Sequence, residues 1–169
     1  MSREGRPEPP QAVSSEVFRR ACGRFATGVA VAGAIDANGV PHGLTVNSFS
    51  SVSLDPPLIL ICLDHALTAI DVFRQARYFG LSVLRENQRE LSERFATRID
   101  DRFESLAWYR GETSVPLLDG ALATVECETR QRVSAGDHDI FIGEMLYASA
   151  HPGEPLIYFA SEYARLAID

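Results

Sequence analysis

GVAVAGAIDANGVPHGLTVNSFSSVSLDPPLILICL, residues 28–63, decides the architecture. Gly28 to Ile35 is a run of small and branched apolar residues and reads as a strand. Asp36-Ala-Asn-Gly39 reads as a hairpin turn, because Asn and Gly tolerate the positive φ such turns need. A second strand is expected over roughly 43–52. Asp55-Pro56-Pro57 interrupts it, and the wholly apolar Leu58–Leu63 reads as a buried strand. Strands joined by turns, without a helix between them, pair antiparallel.

The same pattern continues outward. Residues 1–13 are charged and proline-rich and read as a flexible tail, leaving 14–169 as one domain. Ser14 or Ser15 suits the cap of a helix reaching about Phe25, with Val17, Cys22 and Phe25 on one face. Leu67–Gln75 reads as a helix and Tyr78–Leu84 as a strand. Asn87 suits the cap of a helix over 88–96, with Leu91 and Phe95 at i, i+4. Residues 97–119 look irregular, apart from a turn near Phe103–Trp108. Ala121–Arg132 alternates, with Ala121, Ala123, Val125 and Cys127 on one face and Thr124, Glu126 and Glu128 on the other. His138–Tyr147 and Leu156–Phe159 complete the strands. About seven strands and three helices result. A mainly β fold with flanking helices, a closed or partly closed antiparallel barrel, fits this order better than a doubly wound sheet.

Composition narrows the chemistry. The net charge is −7 and the pI about 5.1, which argues against a general nucleic-acid or anionic-membrane binder. All sixteen basic residues are arginine. Without lysine there is no Schiff base to a lysine, no P-loop lysine and no lysine general base. Cys22, Cys62 and Cys127 are far apart and form neither a disulfide framework nor a zinc site. Cys62 and Cys127 sit in apolar or alternating runs and read as buried free thiols. No apolar run approaches the ~18 residues of a membrane span, and the start is not a signal peptide, so a cytoplasmic location is expected. No GxGxxG follows a strand, and neither HExxH nor GxSxG occurs. In Asp137-His138-Asp139, strand alternation turns His138 away from both aspartates, which disfavours a metal.

One segment stands apart. Thr45, Asn47, Ser48, Ser50, Ser51 and Ser53 place six neutral hydrogen-bonding side chains just before the most strand-like run. Read alone, they make a loop or a polar strand edge.

An ordered set of motifs surrounds them: Phe25-Ala-Thr-Gly-Val29, Thr45-Val-Asn-Ser-Phe49, Ser51-Val-Ser-Leu-Asp-Pro-Pro57, Leu91-Ser-Glu-Arg-Phe-Ala96, Pro116-Leu-Leu-Asp-Gly-Ala-Leu-Ala123 and Gly136-Asp-His-Asp-Ile-Phe-Ile-Gly143. This set resembles the short-chain flavin reductases, the reductase components of two-component flavin-dependent monooxygenases, over about residues 15–166. The resemblance implies a split β-barrel, usually a homodimer with flavin near the subunit interface. It implies FMN or FAD as the flavin, NADH or NADPH as reductant, and a separate monooxygenase receiving reduced flavin.

Carried over residue by residue, it assigns Thr45, Val46, Asn47 and Ser48 to the flavin, with Ser50 and Ser51 as further contacts. Cys62, Leu63 and Asp64 would contact flavin mainly through backbone atoms. Thr68, starting the next helix, and Arg94 are phosphate candidates. His138 would lie near the nicotinamide nucleotide as the catalytic candidate, and Tyr163 and Arg165 are candidate dinucleotide contacts. Ser82 stands where relatives often carry asparagine, so no contact is assigned to it. Such a reductase needs no strong acid, base or nucleophile, because the cofactors carry the chemistry. Two other readings stay open: a pyridoxamine-phosphate-oxidase-like FMN enzyme, and a non-catalytic flavin- or haem-binding module.

Overall fold

The computed structural model describes residues 11–98 and 101–166. The elements begin with α1 (Ser15–Cys22), β1 (Thr27–Gly28), β2 (Ala30–Ile35), β3 (Pro41–Val46), β4 (Ser50–Leu54), β5 (Pro57–Asp64), α2 (Ile70–Gln75) and β6 (Tyr78–Val83). A 3₁₀ turn at Glu86–Gln88 leads into α3 (Arg89–Ala96). There follow β7 (Trp108–Arg110), β8 (Pro116–Leu118), β9 (Ala123–Ala135), β10 (His138–Ala150), β11 (Ile157–Phe159) and β12 (Glu162–Ala164).

Seven strands form one sheet in the order β3-β2-β6-β9-β10-β5-β4, with every neighbouring pair antiparallel. Its two edges, β3 and β4, are consecutive in the chain and separated only by residues 47–49. A connection that short reaches no more than about 14 Å. The sheet therefore has to roll until its edges nearly meet, which makes a barrel left open between β3 and β4. This is the expected split barrel. Smaller sheets, β1-β11-β12 and the β7-β8 hairpin, pack outside it.

The composition of β2 follows from burial on both faces. Ala30, Ala32 and Ala34 join the barrel interior with Ile59, Ile61, Phe73, Phe79 and Phe141. Val29 and Val31 join a second cluster with Leu84, Phe95, Phe103, Leu118 and Leu156 beneath α3. Gly33 and Gly43 make the outer layer possible. A Cβ on Gly33 would lie 2.7 Å from the Pro116 carbonyl, and one on Gly43 would lie 2.6 Å from the Phe95 ring. Burying Phe95 there contributes about 1.5–3 kcal/mol.

Several boundaries differ from the sequence expectation. The strand expected from Gly28 divides at Val29, because β1 pairs with β11 while β2 pairs with β3 and β6. The strand expected over 43–52 breaks at 47–49, because its halves belong to opposite edges of the sheet. The buried strand is buried on one face only: Ile59, Ile61 and Leu63 face inward, whereas Leu58, Leu60 and Cys62 are half-buried. Helix α1 ends at Cys22, with Gly23 as its C-cap, and none of its residues is buried. Asn87 lies inside the 3₁₀ turn and caps nothing; the Gln88 side chain instead accepts from the Arg85 N–H. The hairpin β7-β8 sits where irregular chain was expected, its strands too short for any period to show. No described helix is long and apolar enough to cross a membrane.

Candidate functional site

At the opening between β3 and β4, one side chain fastens the connecting segment to β5. Ser48 Oγ accepts from the Cys62 N–H at 2.9 Å and donates to the Cys62 carbonyl at 3.1 Å. The β4–β5 ladder ends at Ser50 and Leu60. Beyond it the hydroxyl takes the place of the missing strand. Ser48 is therefore spent on this fastening, and so is the Cys62 N–H, a backbone group the sequence reading had assigned to a ligand.

Next to it, Asn47 is exposed, and its amide makes no hydrogen bond to the described residues. It lines a cleft of about 240 Å³ with Phe25, Thr27, Gly28, Val46, Phe49 and Val83. The aromatic rings at its rim are open to solvent, Phe25 78% and Phe49 44% exposed. The Thr27 hydroxyl is buried in the wall and has no partner among the described residues. An uncommitted amide beside apolar, ring-lined walls suits a flat heteroaromatic with polar edges. The volume suits a ring system, so the rest of a nucleotide must lie outside the cleft. The Phe25-Ala-Thr-Gly28 wall carried no site assignment from sequence; its only signal was its place among the motifs.

The fastening links Asn47 to the end of β5. There Asp64 stands opposite His138 in the β5–β10 ladder, and its Oδ1 accepts from the Ala66 N–H at 2.8 Å. His138 Nδ1 lies 2.7 Å from Asp137 Oδ1, and this contact holds the Asp137 carboxyl below its usual range. That corrects the alternation argument: Asp137 belongs to the Gly136 turn, so strand periodicity does not separate it from His138. Asp139 does face the other way. It is buried and bonded to Arg74 Nε at 2.8 Å and His65 Nε2 at 3.0 Å. This three-residue network escaped the sequence reading, since its members are 65 and 74 positions from Asp139.

The remaining candidates divide by commitment. Thr45 Oγ1 donates to the Ser92 carbonyl at 2.6 Å, and Ser92 Oγ meets the Tyr163 hydroxyl at 2.8 Å, tying β3, α3 and β12 together. Arg94 donates to the carbonyls of Arg102, at 2.7 Å, and Glu104, at 2.6 Å; it clamps that loop rather than standing free for phosphate. Arg165 pairs with Glu86. Val46 and Leu63 point into the core, so only their backbones are available. Ser51 and Thr68 are exposed with uncommitted hydroxyls, while Ser50 bonds to the Ser51 carbonyl. Thr68 precedes α2, which starts at Ile70 rather than at the expected Leu67. Buried Ser82 accepts from the Leu118 N–H at 2.9 Å and is structural.

A larger cavity, about 460 Å³, lies elsewhere, between Tyr109, Tyr147 and Glu126. Its buried carboxylate is already bonded by the Glu112 and Thr113 N–H groups and the Thr113 hydroxyl, so it holds that turn in place. Burial pushes the Cys127 thiol up to about 12 and raises Cys62 as well, which removes both as nucleophiles near neutral pH.

Comparisons with known proteins agree with this fold. The family model described as "Flavin reductase like domain" matches residues 22–167. The chain is 40% identical over 158 residues to the actinorhodin polyketide dimerase of Streptomyces coelicolor, covering 92% of this chain and 88% of that one. It is also 40% identical over 158 residues to an NADH-dependent FMN reductase of Agrobacterium fabrum, covering 94% and 90%. The solved styrene monooxygenase flavin reductase of Pseudomonas putida superposes with a TM-score of 0.83 at 37% identity, covering 90% of this chain and 98% of that one. The chain belongs to the flavin reductase like domain family.

Proposed function

We propose that this protein is an NAD(P)H:flavin oxidoreductase that takes hydride from NADH and passes reduced FMN or FAD to a separate flavin-dependent monooxygenase. The observation that carries the reading is the Asn47 amide, unsatisfied by the described residues and set in a ring-lined cleft. The bound cofactors supply the chemistry, a hydride leaving nicotinamide C4 for flavin N5.

The chain's own residues position and shield. Asn47 holds the polar edge of the flavin ring, with Ser50 and Ser51 along the same rim. Phe25 and Phe49 keep water from the ring faces. Ser48 fixes the segment that presents Asn47. Thr45 and Tyr163 hold α3 against β3 and act on the ligand through that placement. The Cys62–Asp64 strand end leads from this cleft to His138, which meets the nicotinamide nucleotide. Thr68 and Arg165 are the peripheral candidates for phosphate and dinucleotide contacts, and Arg94 acts through the loop it clamps.

A homodimer of 14–169 domains, located in the cytoplasm, completes the proposal. The dimer is supported by large apolar side chains left exposed: Leu54 at 95%, Phe18 at 59% and Val52 at 47%.

The test follows NADH oxidation by absorbance with and without added FMN or FAD, repeated without oxygen. Flavin-dependent turnover with free reduced flavin accumulating is the expected result. Tight flavin retention with no oxidation of NADH or NADPH overturns it in favour of a binding module or an amine-oxidising relative.

A further inference from the structure

We propose that Thr27 is a second ring-binding residue of the cleft, whose hydroxyl, unpaired in the free protein, hydrogen-bonds the polar edge of the flavin ring alongside the Asn47 amide. The inference rests on the reductase reading above and adds a contact from the 25–30 wall.

Among the described residues, Thr27 Oγ1 is the one buried side-chain oxygen or nitrogen without a hydrogen-bond partner. Most such atoms in folded proteins are paired, because one cut off from both water and protein partners is costly. The place of this exception is informative. It lies in the wall of the cleft that also holds Asn47, Phe25 and Phe49. Thr27 and Asn47 are the two polar side chains lining that cleft, and the rest of the lining is apolar. Both are uncommitted among the described residues. An apolar pocket with a few placed polar groups is the usual means of orienting a flat heteroaromatic.

The backbone fixes the residue but not its hydroxyl. Thr27 stands opposite Tyr158 and Gly28 opposite Ile157 in the β1–β11 pair. The residue is half-buried while its oxygen is covered, so the oxygen is not the part it shows to the cleft. Threonine occupies more than one staggered χ1 well, since its hydroxyl follows hydrogen-bond partners. A turn about χ1 puts the hydroxyl where the methyl stood, and no hydrogen bond to a described residue has to break. A hydroxyl both donates and accepts, which matches a ring edge carrying carbonyl oxygens and an N–H side by side.

The test is Thr27→Val in the full chain, which keeps the branched shape and replaces the hydroxyl by a methyl. Flavin Kd is measured by fluorescence titration with riboflavin, FMN and FAD, and Tm of the flavin-free protein by circular dichroism. Loss of one neutral hydrogen bond predicts about five- to tenfold weaker binding, equal for the three flavins because they share the ring. Removal of an unpaired buried hydroxyl predicts a Tm raised by about 2–4 °C. The two signs separate a ligand contact from a structural one, since a hydroxyl paired within the fold lowers Tm when it is removed. Thr27→Ser keeps the hydroxyl and most of the affinity. The proposal falls if Thr27→Val binds the flavins like wild type, if its Tm drops, or if Thr27→Ser binds as weakly as Thr27→Val. It also falls if FMN and FAD weaken while riboflavin does not, which would make the contact one to phosphate. Failure of the wild type to bind any flavin or to oxidise NADH is a separate result that removes the reductase reading itself.

Discussion

Replacing Ser48 by alanine tests how the 47–49 connection is fastened to β5. The substitution removes one hydroxyl and two hydrogen bonds, those of 2.9 and 3.1 Å to the Cys62 N–H and carbonyl. Each bond contributes about 1 kcal/mol net, and partial exposure lets water recover some of what is left unpaired, so the total loss is about 2 kcal/mol. For a chain of this size that lowers Tm by about 4–8 °C. The 47–49 connection loses its anchor at the same time, so flavin affinity falls several-fold. Thermal unfolding followed by circular dichroism reads the first effect, and flavin fluorescence titration reads the second. Ser51→Ala is the control for the melting, since its hydroxyl is exposed and makes no hydrogen bond to the described residues. A Ser48→Ala variant melting within about 1 °C of wild type would refute this account of Ser48.

The remaining expectations concern separate parts of the molecule. Asn47→Ala weakens flavin binding by about five- to tenfold and leaves Tm unchanged, because its amide holds nothing in the protein; an unaltered flavin Kd removes it from the site. His138→Ala slows anaerobic reduction by NADH more than it weakens flavin binding, and identical reduction traces for variant and wild type would reject that role. Asp139 is held below its ordinary value of 3.8, first by the hydrogen bond from Arg74, against the opposing effect of burial. Its contribution is therefore present above pH 3.8 and is lost as the pH falls through the lower folded value. The acid limb of Tm against pH should be steeper for wild type than for Asp139→Asn, and parallel curves would contradict this. Thiol alkylation of the native protein should label exposed Cys22 first, half-buried Cys62 slowly and Cys127 only after unfolding. Early labelling of Cys127 would mean that its strand opens readily.

Much of the fold was legible because the relevant physics is local. The Asp36–Gly39 turn needs only Asp36 Oδ1 accepting from the Asn38 and Val40 N–H groups, both at 2.9 Å, and Gly39 at φ 81°. The β9 and β10 strands show in side-chain alternation along one segment. The hairpin between β11 and β12 did not show, because Ala160 and Ser161 turn the chain with positive φ, 51° and 68°, without the usual glycine or asparagine. Helix α1 reads as amphipathic, yet none of its residues is buried. Periodicity reports a face, and only packing reports what covers it.

For the site, the sequence by itself determined the chemistry that is excluded, the segment rich in neutral polar groups and the ordered motifs that mark the family. Residue type and order suffice for those. The tertiary structure alone decided which groups are free to bind. Asn47 and Ser48 are adjacent and were read alike, yet the rolled sheet brings the Cys62 backbone to Ser48 and leaves Asn47 facing the cleft. Arg94 was read as a phosphate candidate, and the 101–104 loop takes its guanidinium. Availability for a ligand is what remains after a side chain's partners within the fold are counted. Those partners come from distant parts of the chain, so no local pattern records them.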